Sequence, residues 1–243
     1  MRRWTDLARQ EILPLVLLVV VAAGVWLFFG LASEVSEGDT LTLDRAALLA
    51  LRNPANLADP VGPPWLEEAV RDLTSLGSII VLSLLTLAIS GFLFLDGKHR
   101  IALLVLVAVA GGLAGNHLLK HSFQRERPDL VPHRAVVSST SFPSGHAMQA
   151  AAAYLTLGAL LARVQKRRRL KAYILSLAAF LTLIVGFSRV YLGVHYHTDV
   201  LAGWTAGGIW ALLCWMAALR LQKEGAIEKP GESGSPFSQS STE

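Results

Sequence analysis

The sequence predicts an all-α integral membrane protein in which six transmembrane helices form one bundle. Hydrophobic residues make up 53% of the 243 residues and charged residues only 16%, whereas an ordinary soluble domain carries about 25% charged residues. The apolar residues form six long segments, and the basic residues concentrate in alternate connections between them. This composition excludes a disordered chain, a soluble nucleic-acid-binding protein and a disulfide-rich scaffold, the last because Cys214 is the single cysteine.

Each apolar segment is a candidate span, because about 20 apolar residues cross the hydrocarbon core of a membrane. The fourth and fifth segments are shorter than this and need flanking residues to complete a span. The first segment follows basic residues, as in a signal peptide, but its apolar run exceeds the roughly 7–15 residues usual there, so a retained anchor is predicted. The six predicted spans lie near residues 12–32, 76–95, 101–119, 147–162, 172–187 and 200–221.

The basic residues predict the orientation of the bundle. Most of the 22 lysines and arginines lie before the first span, between the second and third, between the fourth and fifth, or at the end of the sixth and beyond. Such segments stay in the cytoplasm, which predicts cytoplasmic termini and a multi-pass protein of the plasma (inner) membrane. Residues 1–222 are predicted to form the membrane domain, and residues 223–243, rich in Gly, Ser, Glu and Pro, a disordered cytoplasmic tail.

The first outer loop, residues 33–72, contains two short amphipathic patterns. One is carried by the leucines between residues 41 and 51, and the other follows the Pro63-Pro64 pair and includes Trp65, Leu66 and Val70. Two interpretations are open for these predicted helices. They pack against the bundle, or they form an interfacial lid that guides lipid to a site.

Three polar clusters fall in the two later outer loops, at residues 120–128, 143–146 and 188–199. Lys120, Arg127 and Arg189 put three cations on one predicted side of the bundle, and arginine presents a planar fork of donors to a phosphate. Ser144 and Gly145 open the fourth span, where a helix N-terminus offers backbone N–H groups and the positive end of its dipole. Together these residues predict a binding site for an anion such as phosphate.

Two histidines and an aspartate add reactive groups to this site. His195 and Asp199 are four residues apart and share one face if a helix begins there. A carboxylate bound to one imidazole nitrogen leaves the other nitrogen free to attack, and His146 can protonate a leaving oxygen. The pattern predicts phosphoryl transfer in which the cations neutralise the phosphate charge, so no metal and no cofactor are predicted.

A metal site is the competing interpretation of the same residues. His195, His197 and Asp199, with His146 as a fourth ligand, would form a ligand set. The strong metal-binding spacings are absent, however, and three nearby cations would repel a divalent ion. Asp199 alone would also suit a simple helix cap.

The remaining polar residues of interest are interpreted as structural or solvent-exposed. The histidines read as structural are His99, His117, His121 and His133, and the charges read as solvated loop residues or headgroup contacts are Arg125, Glu126, Asp129 and Arg134.

The three clusters resemble the type 2 phosphatidic acid phosphatase superfamily, whose pattern is K-x6-R-P, then P-S-G-H, then S-R-x5-H-x3-D. The match is complete at Lys120, Arg127 and Pro128, at residues 143–146, and at Ser188, Arg189, His195 and Asp199. The resemblance implies that His195 is a nucleophile forming a phosphohistidine, that Asp199 orients it, and that His146 acts as general acid and later activates water. It implies metal independence, and phosphoryl oxygens held by Lys120, Arg127, Ser144, Gly145 and Arg189.

The expected function is that of a membrane phosphatase acting on a lipid phosphate or diphosphate at the outer, periplasmic or extracellular, face. Family members of this size suggest undecaprenyl diphosphate, phosphatidate or phosphatidylglycerophosphate as substrates. The expected partners are the lipid substrate and membrane lipids, with no nucleic acid, and the oligomeric state is not indicated. Two alternatives stay open: a lipid phosphotransferase using the same site, and a non-catalytic lipid-binding or transport protein.

Overall fold

The computed structural model describes residues 2–129 and 140–223, and this part of the chain is mainly helical. A two-stranded antiparallel hairpin, β1 (Arg52–Asn53) and β2 (Asn56–Pro60), lies in the first outer loop. The helices are α1 (Arg2–Glu37), α2 (Leu41–Leu49), α3 (Pro64–Thr74), α4 (Ile79–Leu95), α5 (His99–Ser122), α6 (Gly145–Ala150), α7 (Thr156–Val164), α8 (Arg168–Tyr191) and α9 (His197–Lys223).

The predicted fold class is confirmed. Within the described ranges, five helical segments are long and apolar enough to cross a membrane, namely Pro14–Glu37, His99–Ser122, Gly145–Val164, Arg168–Tyr191 and His197–Leu221. A sixth span is obtained when Pro64–Gly77 and Ile79–Leu95 are taken together across a 51° bend. The predicted cytoplasmic placement of the termini stays a prediction, and the predicted tail beyond Lys223 lies outside the described residues.

The second predicted span differs from a single straight helix. The chain passes through a 3-10 turn at Ser75–Gly77, and Ser78 is extended before α4 begins at Ile79. Ser78 caps α4, because its Oγ accepts a hydrogen bond from the Val81 N–H at 3.2 Å. The side-chain cap, rather than hydrophobicity, therefore sets the start of this helix.

The two short predicted spans become longer helices because the polar motifs at their ends are themselves helical. The fourth runs over Gly145–Val164, as α6 and α7 joined through a π-helical turn at Ala151–Leu155, and the fifth runs over Arg168–Tyr191. The apolar segments alone omitted these ends. Polar residues of the second and third clusters thus sit in the terminal turns of spanning helices.

Small residues bring α9 close to the start of the fourth span. A Cβ atom on Gly203 would lie 2.7 Å from the Ser144 carbonyl oxygen, and one on Gly207 would lie 2.3 Å from that of Met148. Helices in a bilayer associate through such small-residue contacts, because lipid provides no hydrophobic drive between them. This contact holds two of the three polar clusters together.

Both amphipathic patterns of the first outer loop are helices, α2 and α3. The inner face of α2 is packed: Leu48 is fully buried in a cluster with Tyr196, and Asp44 is buried on the same face. Arg52 in β1 donates a hydrogen bond to the Tyr191 carbonyl at the end of α8. The packing interpretation therefore describes α2, whereas the lid interpretation remains untested.

Candidate active site

The three polar clusters meet at one end of the bundle. Lys120 lies in the last turn of α5, Ser144 precedes α6, and Arg189 lies in the last turn of α8. The segment after α8 carries His195, and the first turn of α9 carries Asp199. The Ser144 N–H donates to the Asp199 carbonyl at 2.9 Å, which ties the second cluster directly to the third.

His195 and Asp199 are paired as expected, but not on one helix face, because α9 begins at His197 and His195 precedes it. His195 Nδ1 lies 3.5 Å from Asp199 Oδ2, and the imidazole and the carboxylate are buried. Ser141 Oγ lies 3.3 Å from the same Nδ1 and donates a hydrogen bond to the same Oδ2. The hydroxyl of Ser141 therefore sits beside both members of the pair, and nothing in the sequence motifs singled it out.

The Asp199 carboxylate contacts both the start of α9 and His195. Its Oδ2 accepts the Tyr196 backbone N–H at 2.9 Å, which satisfies a donor at the start of α9 in the manner of a helix cap. The same carboxylate faces His195. Capping and orientation are compatible here because one carboxylate offers about four lone pairs.

The other nitrogen of His195 faces the cations. Arg127 Nη1 lies 3.4 Å from His195 Nε2 and donates to the Val194 carbonyl at 3.1 Å. Lys120 interacts electrostatically with Arg127, Asp199 and Arg189. The first and third clusters are therefore close together on the Nε2 side.

His146 belongs to the same group. It is partly exposed, and it interacts electrostatically with Arg189, His195, Lys120 and Arg127. A histidine at the edge of a cationic site is placed to exchange a proton with a bound group and with solvent.

Two buried polar atoms near the cations have no hydrogen-bond partner among the described residues, Ser144 Oγ and Arg189 Nε. Arg189 also donates from Nη1 to Thr74 Oγ1 of α3 at 3.0 Å. Unsatisfied buried donors are costly, so their presence together indicates a place for an acceptor. The sequence predicted that backbone N–H groups at this helix start bind the anion. The Ser144 N–H instead donates to the Asp199 carbonyl, so Ser144 can contact an anion only through its hydroxyl.

The prediction that Arg125 is a solvated loop charge is wrong. Its side chain is only 12% exposed, and its guanidinium donates to Asp199 Oδ1 and to Asp44 Oδ2, both at 2.6 Å. Asp44 was not considered in the sequence, although an acidic residue on the leucine-rich face of a predicted helix was a usable signal. A second usable signal was that Arg125 is basic although it lies on the side of the membrane predicted to be outer.

Two of the histidines interpreted as structural contact each other. The Nε2 atoms of His117 and His121 lie 3.1 Å apart. His197 lies beside Asp44, with Nδ1 2.8 Å from Oδ1. No group of three or more His, Cys, Asp or Glu side chains in the described ranges is arranged to hold a metal ion. His133 and Arg134 lie outside those ranges.

Burial and pairing set the charge states around His195. Burial lowers the pKa of His195 to about 4, although Asp199 acts in the opposite direction. Burial would raise the pKa of Asp44, but hydrogen bonds from His197, Arg125 and Thr198 outweigh it and hold that pKa well below its usual range. Burial would lower the pKa of Arg125, but Asp199 and Asp44 more than offset it and raise that pKa. At neutral pH the imidazole of His195 is therefore uncharged, while Asp44 and Arg125 are ionised.

Comparison with known proteins gives the same family as the motifs. The family model described as PAP2 superfamily matches residues 101–223. A phosphatidylglycerophosphatase B of Bacillus subtilis is 38% identical over 150 residues, which cover 59% of this chain and 71% of the relative. A lipid A 1-phosphatase of Rhizobium etli is 28% identical over 238 residues, covering 79% of this chain and 94% of the relative.

Solved structures extend the likeness to the fold. The crystal structure of a transmembrane PAP2 type phosphatidylglycerolphosphate phosphatase from Bacillus subtilis superposes with a TM-score of 0.74 at 30% identity, covering 83% of this chain and 96% of that chain. The superposed part is larger than the part matched by the family model, which spans residues 101–223. With the motifs complete and half of the chain matched, the protein belongs to the PAP2 superfamily.

Proposed function

We propose that the protein is a membrane phosphatase that hydrolyses a lipid phosphate or diphosphate through a phosphohistidine formed on His195. One observation carries this proposal: the two nitrogens of His195 face opposite environments. Nδ1 faces the Asp199 carboxylate, and Nε2 faces the Arg127 guanidinium. A proton held on Nδ1 by Asp199 leaves a lone pair on Nε2, directed to where an anion is attracted.

In the first step Nε2 of His195 attacks phosphorus. The N–P bond forms, the bond from phosphorus to the lipid oxygen breaks, and His146 gives a proton to the departing oxygen. The positive charge that develops on His195 is stabilised by Asp199, which stays ionised as the aspartate of a serine-protease triad does. The products of this step are the lipid alcohol, or the lipid monophosphate from a diphosphate, and the phosphohistidine.

In the second step water attacks the phosphohistidine. His146, now neutral, takes a proton from the water as the O–P bond forms and the N–P bond breaks. Inorganic phosphate is released, His195 is again neutral, and His146 is again protonated. The proton count closes over the two steps without a further reactant.

The cations stabilise the charge that passes through these steps. Lys120, Arg127 and Arg189 repel one another in the ligand-free site, and a phosphoryl group with two or more negative charges relieves that repulsion. The hydroxyl of Ser144 and Nε of Arg189, without partners in the described structure, are available for phosphoryl oxygens. Gly145 lies beside Ser144 at the start of α6, where a Cβ atom would lie 2.9 Å from the Asn116 amide nitrogen, so glycine allows α5 and α6 to approach closely.

The relatives narrow the substrate class. The names of the two reported relatives refer to phosphatidylglycerophosphate and to the 1-phosphate of lipid A. These molecules share a phosphoryl group attached to a lipid, which suits a site at the end of a bundle of spanning helices. The distribution of basic residues supports an outer-face site in the plasma membrane.

Phosphate release by the purified protein in detergent tests the proposal, using phosphatidylglycerophosphate, phosphatidate and undecaprenyl diphosphate with EDTA present. The wild type should release phosphate from at least one lipid. His195→Ala should do so at a rate at least about a thousandfold lower, because the nucleophile is removed. His99→Ala is the matched control, because His99 is exposed at the opposite end of α5 and should leave the rate unchanged.

Other outcomes would contradict the proposal in distinct ways. An active His195→Ala protein would contradict the phosphohistidine. Activity lost in EDTA and restored by one divalent ion would contradict metal independence. Transfer to an added lipid or sugar acceptor in excess of free phosphate would identify a phosphotransferase, and intact lipid in every assay would indicate a binding or transport protein.

A further inference from the structure

The guanidinium of Arg125 lies between two buried carboxylates from distant parts of the chain. Nη1 donates to Asp199 Oδ1 and Nη2 donates to Asp44 Oδ2, both at 2.6 Å. Both aspartate side chains are fully buried. A buried carboxylate without a counter-charge is strongly destabilising, so this arrangement depends on the single arginine.

The geometry requires arginine rather than any cation. Two different Nη atoms serve two different carboxylates, which only the planar guanidinium fork can do with fixed directions. The face of Arg125 is also covered, because Cζ lies 4.5 Å from the centre of the Tyr196 ring. Nη1 additionally donates to Thr198 Oγ1 at 2.8 Å. The guanidinium is therefore held in plane and in position.

Asp44 connects the outer helix α2 to the start of α9. Its Oδ1 accepts the Thr198 backbone N–H at 3.2 Å, and its Oδ2 accepts the Thr198 hydroxyl at 2.7 Å. His197 Nδ1 lies 2.8 Å from Oδ1. The carboxylate of Asp44 thus holds both Arg125 and the turn that carries Asp199.

The two oxygens of Asp199 have different tasks. Arg125 occupies Oδ1, whereas Oδ2 faces Ser141, the Tyr196 N–H and His195. A carboxylate bound at only one oxygen can rotate about its Cβ–Cγ bond, and the bond from Arg125 to Oδ1 opposes that rotation. Arg125 therefore fixes which oxygen His195 meets.

We propose that Arg125 and Asp44 are positioning residues, which hold Asp199 in the orientation that His195 needs for attack. The outer helix α2 is in this sense a structural part of the reaction centre, since it supplies Asp44. The proposal rests on the proposed function, because it acts through the His195–Asp199 pair. Neither residue touches the substrate, so substrate affinity should not depend on them.

The main test compares kcat and KM of Arg125→Gln with those of the wild type, on whichever lipid the wild type hydrolyses. A misplaced reacting group costs about a hundredfold in rate, so kcat should fall by about that factor while KM changes by less than about twofold. Arg125→Lys should recover part of the loss, because it restores the charge but cannot bridge two carboxylates. Asp44→Asn should lower kcat less than Arg125→Gln does, because Arg125 then still contacts Asp199.

A double variant separates positioning from general damage. If Arg125 acts through Asp199, Arg125→Gln combined with Asp199→Asn should be no slower than Asp199→Asn alone. Independent losses that multiply would overturn the proposal. Arg71→Gln is the matched control, because the Arg71–Glu67 pair is an exposed arginine–carboxylate pair in the same outer loop and should be neutral for kcat.

Folding is monitored by thermal unfolding of each variant in detergent. If Arg125→Gln does not fold, Arg125→Lys and Asp44→Asn retain more of the network and carry the test. A wild-type kcat in folded Arg125→Gln, or a loss confined to KM, would overturn this inference alone. A wild type inactive on every lipid would instead contradict the proposed function, and this inference with it.

Discussion

The two sides of the His195 ring are organised in opposite ways. On the Nδ1 side, opposite charges are in direct contact, because the guanidinium of Arg125 bonds to the carboxylates of both Asp199 and Asp44. On the Nε2 side, Lys120, Arg127 and Arg189 gather, and Lys120 donates to the Thr140 carbonyl and Arg127 to the Val194 carbonyl. The Nδ1 side is therefore stabilised by its own charge pairs, whereas the Nε2 side is stabilised most by a bound anion.

The difference also explains how one small site can be rigid and still bind. Charge pairs with low exposure keep a fixed geometry without a ligand. The clustered cations repel one another, and a bound phosphate relieves that repulsion. The resulting binding energy acts on the phosphoryl group that reacts. Variants on the first side should therefore reduce both rate and stability, and variants on the second should reduce rate more than stability.

The largest effect is expected for Asp199→Asn. The amide keeps the shape of the side chain but not its charge, so the correct imidazole tautomer is lost and Arg125 loses a counter-ion. By comparison with the aspartate of a catalytic triad, kcat should fall by about 10³–10⁴-fold, and thermal unfolding should occur at lower temperature. Phosphate release and a melting curve on the same preparation measure both. A loss of tenfold or less would mean that Asp199 serves mainly as a helix cap.

A smaller effect is expected for Arg189→Lys on the cationic side. Lysine keeps the charge but removes the guanidinium fork, including the Nε that has no partner in the described structure. Loss of a charge-assisted hydrogen bond should lower kcat/KM by about 10–100-fold. The melting temperature should fall less than that of Asp199→Asn, because the variant loses the bond from Arg189 to the neutral hydroxyl of Thr74 but no charge pair within the described residues. Arg71→Lys, at an exposed outer position, serves as control, and equal kcat/KM for both variants would contradict a role for Arg189 in holding phosphate.

The pH profile tests the charge state of His195, whose ring lies between the two sides. Burial lowers the pKa of His195 to about 4, so the imidazole is neutral and able to attack above that value. On the acidic side, kcat/KM should stay level down to about pH 5 and fall about tenfold per unit below about pH 4. A phosphate monoester itself titrates near pH 6, so monophosphate and diphosphate substrates should be compared. A fall in kcat/KM on the acidic side that is centred near pH 6.5 for both kinds of substrate would contradict a buried, neutral His195.

The smallest effects are expected for variants of two serines, Ser141 on the Nδ1 side and Ser144 on the Nε2 side. Ser144 Oγ has no partner in the described structure, whereas Ser141 Oγ bonds to Asp199. Ser144→Ala should lower kcat/KM by about tenfold without loss of stability, because no existing hydrogen bond is broken. Ser141→Ala should lower the melting temperature as well as kcat. If the two variants have the same stability, the proposed difference between Ser141 and Ser144 is wrong.

The site was predictable to the extent that its residues lie in dense motifs. The pairing of His195 with Asp199 was predicted from a spacing of four residues on one helix face, whereas in the structure α9 begins at His197 and the pair forms between the preceding turn and the first turn of the helix. Arg125 was misjudged because its partners are distant in sequence, and a charge in a loop is usually solvated. Asp44 was missed for the same reason, since its contacts to Arg125 and Thr198 join residues far apart along the chain.

By itself, the sequence determined the membrane class, the number of candidate spans and the family, because apolar length and motif spacing are local properties that survive any arrangement of the helices. The three-dimensional structure decided the rest. It bent the second span at Ser78, where a side-chain cap starts α4. It also turned an outer-loop helix into a support for Asp199, because only folding brings the Asp44 carboxylate to the guanidinium of Arg125, and burial of both aspartates makes that contact matter.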